Sequence, residues 1–329
     1  MIRVLFITNG YPTNSKPEFC VFTKEQIEGL NKTGKVESDL IFINSTEDGW
    51  IQYIKSILPI VRKSREYEVI HTFHGFVFLL TYFLTFFSRK KIVASFLNNI
   101  DKEYKELRYF NYVFSLITKL LIKDNRVFKI FKDKVPSYAG DNSFYLPNGV
   151  DLNKFYPIDE FNAKEKLDLD SNVRYILFVS SKDKFRAQKR YDIYLEVLRI
   201  LKDVYHHDDI RELCLVNTER SKLVYYFNAS CLHLLCSDFE GSPNSVKEAL
   251  ACNIPVVSRN VGNVSKMLKG VDGTYVSNNA DPKVLAELVD KVLKSSDKFD
   301  LRSHLVKSGL DMDSKSEELL ALYKNILRI

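Results

Sequence analysis

Seven residues separate Glu240 and Glu248 in the run Ser237-Asp-Phe-Glu-Gly-Ser-Pro-Asn-Ser-Val-Lys-Glu-Ala-Leu-Ala-Cys-Asn-Ile-Pro-Val-Val-Ser258. An ionised carboxylate only accepts hydrogen bonds. Two isolated glutamates would more simply be a solvated loop charge and a charge on a helix face. Their surroundings argue for more than that. The apolar stretch 231–236 reads as a buried parallel strand, and Gly241, Ser242 and Pro243 break it. Pro243 fits the first position of a helix with Ser242 as its cap. Val246, Leu250 and Ala251 then point inward, and the next strand starts at 254. Glu240 therefore belongs at the carboxyl end of a strand and Glu248 inside the following helix. In an open α/β sheet that edge is where ligands bind.

The elements needed to hold such an edge are legible along the chain. Strands are expected over 2–8, 40–43, 69–71, 92–94, 127–130 and 143–146, with helices between them, for example over 22–32, 51–65 and 104–122. A second set of strands is expected over 175–180, 213–217, 232–236, 255–258 and 273–276, and a last helix over 314–327. Regular alternation of strand and helix implies parallel, doubly wound sheets. The 329 residues suffice for two domains, and 45% hydrophobic content supports full cores.

The segment from Ser237 to Ser258 resembles the signature of the retaining nucleotide-sugar glycosyltransferases of family 4, which have the GT-B fold. A second match is Leu146-Pro-Asn-Gly-Val-Asp-Leu-Asn-Lys-Phe-Tyr-Pro157, similar to the string that links the two domains in that family. Here Asn148 and Gly149 make a turn, and Phe155 is a candidate anchor for the linker. The resemblance covers nearly the whole chain and is nearest in character to surface-polysaccharide enzymes. It implies an α/β protein with two facing Rossmann-like domains. They are an acceptor-side domain over 1–156 and a nucleotide-sugar-binding domain over 157–329, with the last helix crossing back to the first. It also implies transfer of a hexose-like sugar, with retention, to a glycan or lipid-linked acceptor. The donor is a substrate, and no cofactor or metal is expected. The second domain looks trimmed by a strand and helix, because 201–220 is short. Two other readings remain: a sugar-nucleotide epimerase of similar architecture, and a non-catalytic sugar- or partner-binding relative.

Site residues follow from the resemblance position by position. Glu248 matches the carboxylate that binds ribose, and Glu240 the one that orients the transferred sugar. Ser242 belongs to the same donor-binding loop. The helix start at Asn244 and Ser245 would meet the diphosphate, since backbone N–H groups and the helix dipole favour an anion there. Fixed cations oppose charge building on a leaving diphosphate. Lys189 matches the family's lysine, Arg190 replaces its usual glycine, and either Arg186 or Lys182 takes the place of its arginine. Arg186 is preferred because a guanidinium fits phosphate geometry. Gly10, the only glycine left in a usually glycine-rich loop, and Asn148 complete the donor-binding candidates. His71, His74 and Asn98 form the acceptor side. A metal held by His71 and His74 lacks an obvious third ligand.

Charge and cysteine usage set the wider frame. The entire +6 excess lies within residues 1–156. The stretch 102–134 interleaves lysines and arginines with apolar residues, and the apolar run 76–87 is too short to span a bilayer. Together they suit peripheral contact with an anionic membrane, although an ordinary amphipathic helix over a core helix has the same pattern. No nucleic-acid reader motif is present. The five cysteines form no CxxC pair and read as small hydrophobes of a reducing, cytoplasmic protein. The Asp-x-Asp triplets at 168–170 and 311–313 read as surface charge.

Overall fold

Ile2–Thr8 (β1) is buried at six of its seven positions, as a strand covered on both faces must be. Val4 and Phe6 pack on one side of it, Leu5 and Ile7 on the other. Five further strands join it in one parallel sheet: Val36–Phe42 (β2), Val69–Phe73 (β3), Lys91–Phe96 (β4), Val127–Phe131 (β5) and Ser143–Tyr145 (β6). Their order is β2-β1-β3-β4-β5-β6. A computed structural model describes residues 1–17, 19–97, 100, 110–180 and 183–329. Asn98, Lys182 and the stretch 101–109 lie outside the described residues.

A second parallel sheet contains Arg174–Ser180 (β7), Ile210–Val216 (β8), Ser230–Leu235 (β9), Val256–Arg259 (β10) and Thr274–Ser277 (β11). Its order is β11-β10-β9-β7-β8, the same winding with one strand fewer. Alternate residues again face two layers: Tyr175 and Leu177 one core, Ile176 and Phe178 the other. In each sheet the order reverses next to the first strand, between β1 and β3 and between β7 and β9. Connections leave such a point in opposite directions, which opens a crevice at the carboxyl ends of those strands.

The chain forms two compact units, Met1–Asn148 with Met312–Ile329, and Gly149–Asp311. Residues 149–156, expected with the first domain, belong to the second. The reason is packing: Val150 and Phe155 are buried in its core, with the Phe155 ring 5.8 Å from that of Phe227. The helix Met312–Leu327 belongs to the first unit, where Leu319, Leu320, Tyr323 and Ile326 join the core with Val4 and Phe6. One expected surface triplet needs correction. Asp311 is buried, bridged to Val150 where the chain leaves the second unit.

Arg302 fastens the entering segment. Its Nη1 donates to the carbonyls of Phe155 (2.6 Å) and Ala251 (2.7 Å), and Nη2 to that of Leu152 (3.0 Å). Arg302→Ala is expected to cost about 3 kcal/mol, the scale for hydrogen bonds to a charged group. A urea titration should show a lower midpoint with an unchanged slope. An unmoved midpoint would contradict this role.

Candidate functional site

The crevice between β7 and β9 gathers two loops. After β7 comes a single tight turn, Ala187–Lys189, closed by Arg190 at φ 54°. That left-handed conformation favours glycine, and here an arginine adopts it. Its guanidinium is held by Asp192 (2.8 Å) and Asp238 (3.1 Å). The turn is tied to the loop after β9 twice. Gln188 Nε2 donates to the Phe239 carbonyl at 2.6 Å, and the Asp238 N–H donates to the Gln188 carbonyl at 2.9 Å. Arg259 adds bonds to the Cys236 carbonyl and the Asp238 carboxylate. This lattice brings Lys189 Nζ to 2.7 Å from Glu240 Oε1, with both side chains about 15% exposed (14% and 15%). A cation and a carboxylate are thus fixed side by side at the mouth of the crevice. Arg186 is not part of that pair. It is exposed and bonds only loosely to Gln188, at 3.2 Å.

Glu248 lies in the helix Asn244–Ala251, nearly buried, with Oε1 3.0 Å from Arg220 Nη1. Arg220 in turn lies over the Phe155 ring, 5.0 Å from its centre. Sequence reasoning missed Arg220, because Asn217-Thr-Glu-Arg-Ser-Lys222 reads as a featureless polar loop. The available signal was Glu248 itself: a carboxylate inside a buried helix needs a cation.

The helix begins at Asn244, one residue later than expected, and no side chain caps it. Ser242 is otherwise engaged: its Oγ accepts from Lys247 Nζ (3.2 Å) and Asn263 Nδ2 (3.1 Å). Ser245 turns inward to His233 Nε2 at 3.0 Å, so its hydroxyl supports the loop from below. Gly262 explains how closely the next turn approaches. A Cβ there would lie 2.0 Å from the Gly241 carbonyl oxygen, so the backbone of this loop packs directly on residue 262.

In the first unit the corresponding crevice lies between β1 and β3. Gly10 sits against Cys20 and His74; a Cβ at residue 10 would come within 2.6 Å of Cys20 Sγ and 3.0 Å of His74 Nε2. His74 has φ 71° at the start of the helix Gly75–Leu84, and its Nε2 is shielded without a hydrogen-bond partner. Burial pushes this imidazole down to about 4. His71 does not line the crevice, contrary to expectation. It is fully buried, with Nδ1 2.6 Å from the Tyr323 hydroxyl and Nε2 2.7 Å from Ser95 Oγ. Strand alternation explains this: the side chain falls on the sheet face covered by the C-terminal helix. Asn148 is half-buried at the end of the first unit's main segment. Among the described residues, no group of three or more His, Cys, Asp or Glu is placed to hold a metal ion. None of the five cysteines is in a disulfide.

Residues 213–311, which include Glu240 and Glu248, match the family model of glycosyl transferases group 1. No curated protein matches the chain by sequence. Solved structures resemble it over full length. Sucrose-phosphate synthase from Thermosynechococcus elongatus aligns with a TM-score of 0.71 at 13% identity, covering 100% of both chains. The fold is GT-B. Anabaena HepE in complex with UDP and glucose aligns at 0.70 and 12% identity, over 98% of this chain and 100% of that one. A glycosyltransferase from Rickettsia africae aligns at 0.69 and 18%, over 99% and 98%. The group 1 match thus falls on the GT-B unit that carries the paired Lys189 and Glu240.

Proposed function

We propose that the chain is a retaining hexosyltransferase of family 4. It would move a sugar from a nucleotide diphosphate sugar to a glycan or lipid-linked acceptor of the surface-polysaccharide type. The observation that carries this reading is the Lys189–Glu240 pair, held at 2.7 Å where the strand order of a group 1 unit reverses. The Anabaena structure, solved with UDP and glucose, supports the donor class.

In this scheme Glu248 accepts hydrogen bonds from the ribose hydroxyls, and Arg220, at 3.0 Å, holds it in place. Glu240 accepts a hydroxyl hydrogen of the transferred sugar. The N–H groups at Asn244 and Ser245, at the start of the helix, face the diphosphate. The bond from the anomeric carbon to the phosphate oxygen breaks, and the nucleoside diphosphate leaves with the electron pair. The acceptor oxygen attacks from the same face and gives its proton to the leaving oxygen. Lys189 opposes the charge that grows there, with Arg186 as a second cation reaching in from the exposed end of the turn. Ser242 shapes the loop. His74, at the first unit's crevice, is the proposed acceptor-side residue, and Gly10 keeps its place among the donor-binding candidates.

A thermal-shift screen against UDP-, GDP-, ADP- and TDP-sugars tests the donor. A ligand at a hundred times its Kd adds about 2.7 kcal/mol of stability. Glu248→Ala is expected to weaken the ligand found by about 1.5–3 kcal/mol, the range for a charged hydrogen bond. Calorimetry showing undiminished affinity in a folded variant would remove Glu248 from the site. Product formed without any acceptor would replace transfer by epimerisation.

A further inference from the structure

We infer that the first unit docks on an anionic lipid bilayer through one helical face that includes the helix Ile51–Lys63. This inference is independent of the transferase reading, since it needs neither donor nor acceptor. The helices Ile51–Lys63, Gly75–Leu84 and Asn111–Leu121 lie side by side on one face of the first sheet. The Tyr53 ring is 4.9 Å from Phe76, and Phe76 is 5.6 Å from Phe114. Their inner sides fill the core, where Ile60, Val77, Phe78 and Ile122 are buried.

Their outer sides are apolar as well, which a water-facing layer is not expected to be. On the first helix Ile51, Ile54 and Leu58 form an exposed stripe at helical spacing, preceded by Trp50 at 71% exposure. The middle helix ends in exposed Phe83, Phe86 and Phe87, the last at 94%. On the third helix Tyr112, Leu116 and Leu120 repeat the stripe. In the second unit, by contrast, exposed large apolar residues are scattered singly over separate elements.

Charge selects the partner. Residues 49–65, 69–100 and 110–123 hold nine lysines and arginines and no aspartate or glutamate. Lys55, Arg62, Arg65, Arg89 and Lys123 are exposed among the apolar stripes. Among the described residues the apolar stripes are interleaved with cations, with Asp48 beside Gln52 and Asp39 beside Lys63 at the margin, and such a surface matches the boundary between anionic headgroups and acyl chains. Among the described residues no helix is long and apolar enough to cross a membrane. The chemistry is that of lying on a bilayer.

Trp50 is the only tryptophan, so the surface carries its own probe. With phosphatidylglycerol vesicles at low salt, the full chain is expected to pellet and Trp50 emission to move to the blue. Phosphatidylcholine vesicles, or high salt, should reduce both effects. Lys55→Ser with Arg62→Ser is expected to lower the vesicle partition coefficient roughly 30-fold, at about 1 kcal/mol per basic residue. Ile54→Glu with Leu58→Glu should abolish the blue shift at an unchanged thermal midpoint, because both positions are exposed. Should that variant misfold, the lipid and salt comparisons on the unaltered chain still decide. Equal or absent pelleting on the two vesicle types at low salt overturns the inference. So does a blue shift that depends on protein concentration without lipid, which would assign the face to a second copy of the chain.

Discussion

Lys189→Ala is expected to lower turnover by about 10²–10³-fold, the effect of deleting one fixed donor to a developing negative charge. Donor affinity should fall much less. The diphosphate is already anionic when bound, but it gains charge at the oxygen that leaves, so the cation matters most in the transition state. Glu240 holds Lys189 Nζ at 2.7 Å, and the Gln188–Phe239 bond fixes the turn that carries it. Glu240→Gln should therefore also lower turnover, by loosening Nζ as well as by weakening the sugar contact. Steady-state kinetics with the donor identified by thermal shift separate the two effects. A Lys189→Ala variant with normal kcat and raised KM would assign the lysine to ground-state binding. The same role requires wild-type turnover to survive a chelator. Loss restored by magnesium or manganese would transfer the charge stabilisation to a metal.

Acid should unfold the first unit before the second. His71 and His74 in the first unit and His233 in the second are all held below the ordinary histidine value by burial. His74 and His233 are each pushed down to about 4. Each ring is neutral when folded and takes up a proton when unfolded. The unfolded state therefore binds more protons as pH falls below about 6.5, and stability is lost in that window. By pH 5 a ring held at about 4, as His74 and His233 are, contributes a loss of about 2 kcal/mol. The first unit adds the buried His71, which acts in the same direction, against the roughly 5–15 kcal/mol that holds a domain. Other groups act elsewhere. Asp124, held at about 2 beside Arg126, titrates below the window. Lys132, buried and pushed down to about 7, strengthens the fold only as pH rises above that value. Urea titrations should show separating transitions for the two units as pH drops from 7 to 5. A midpoint that does not move over this range would exclude the mechanism.

Strands and their order of appearance were legible because parallel strands covered on both faces are nearly continuous apolar runs. The β1 bounds match the expectation residue for residue, and β3, β4, β7 and β9 differ by one to three residues at their ends. Ends shift because ladder hydrogen bonds continue into polar residues that no hydropathy pattern marks. The places of Glu240, after a strand's carboxyl end, and of Glu248, inside the following helix, were legible from the strand-turn-helix pattern, whereas Lys189 was singled out by the family resemblance. Arg220 was not, since its role depends on a long-range meeting with Glu248. Ser242 was misread as a cap because its competing partners, Lys247 and Asn263, lie beyond the local window. His71 was misplaced because the covering helix comes from the far end of the chain.

That distant helix makes the second unit an insertion within the first. The first unit is begun at residue 1 and closed only by Met312–Leu327, and the His71–Tyr323 bond spans 252 positions. Domains emerging from a ribosome usually fold in order, amino-terminal first. Here that order is inverted at the end. Gly149–Asp311 is complete as a chain while the first sheet still lacks Leu319, Leu320, Tyr323 and Ile326 from its core. The second unit is therefore the earlier of the two to finish during synthesis, and the first, with its row of outward apolar helices, is completed after it.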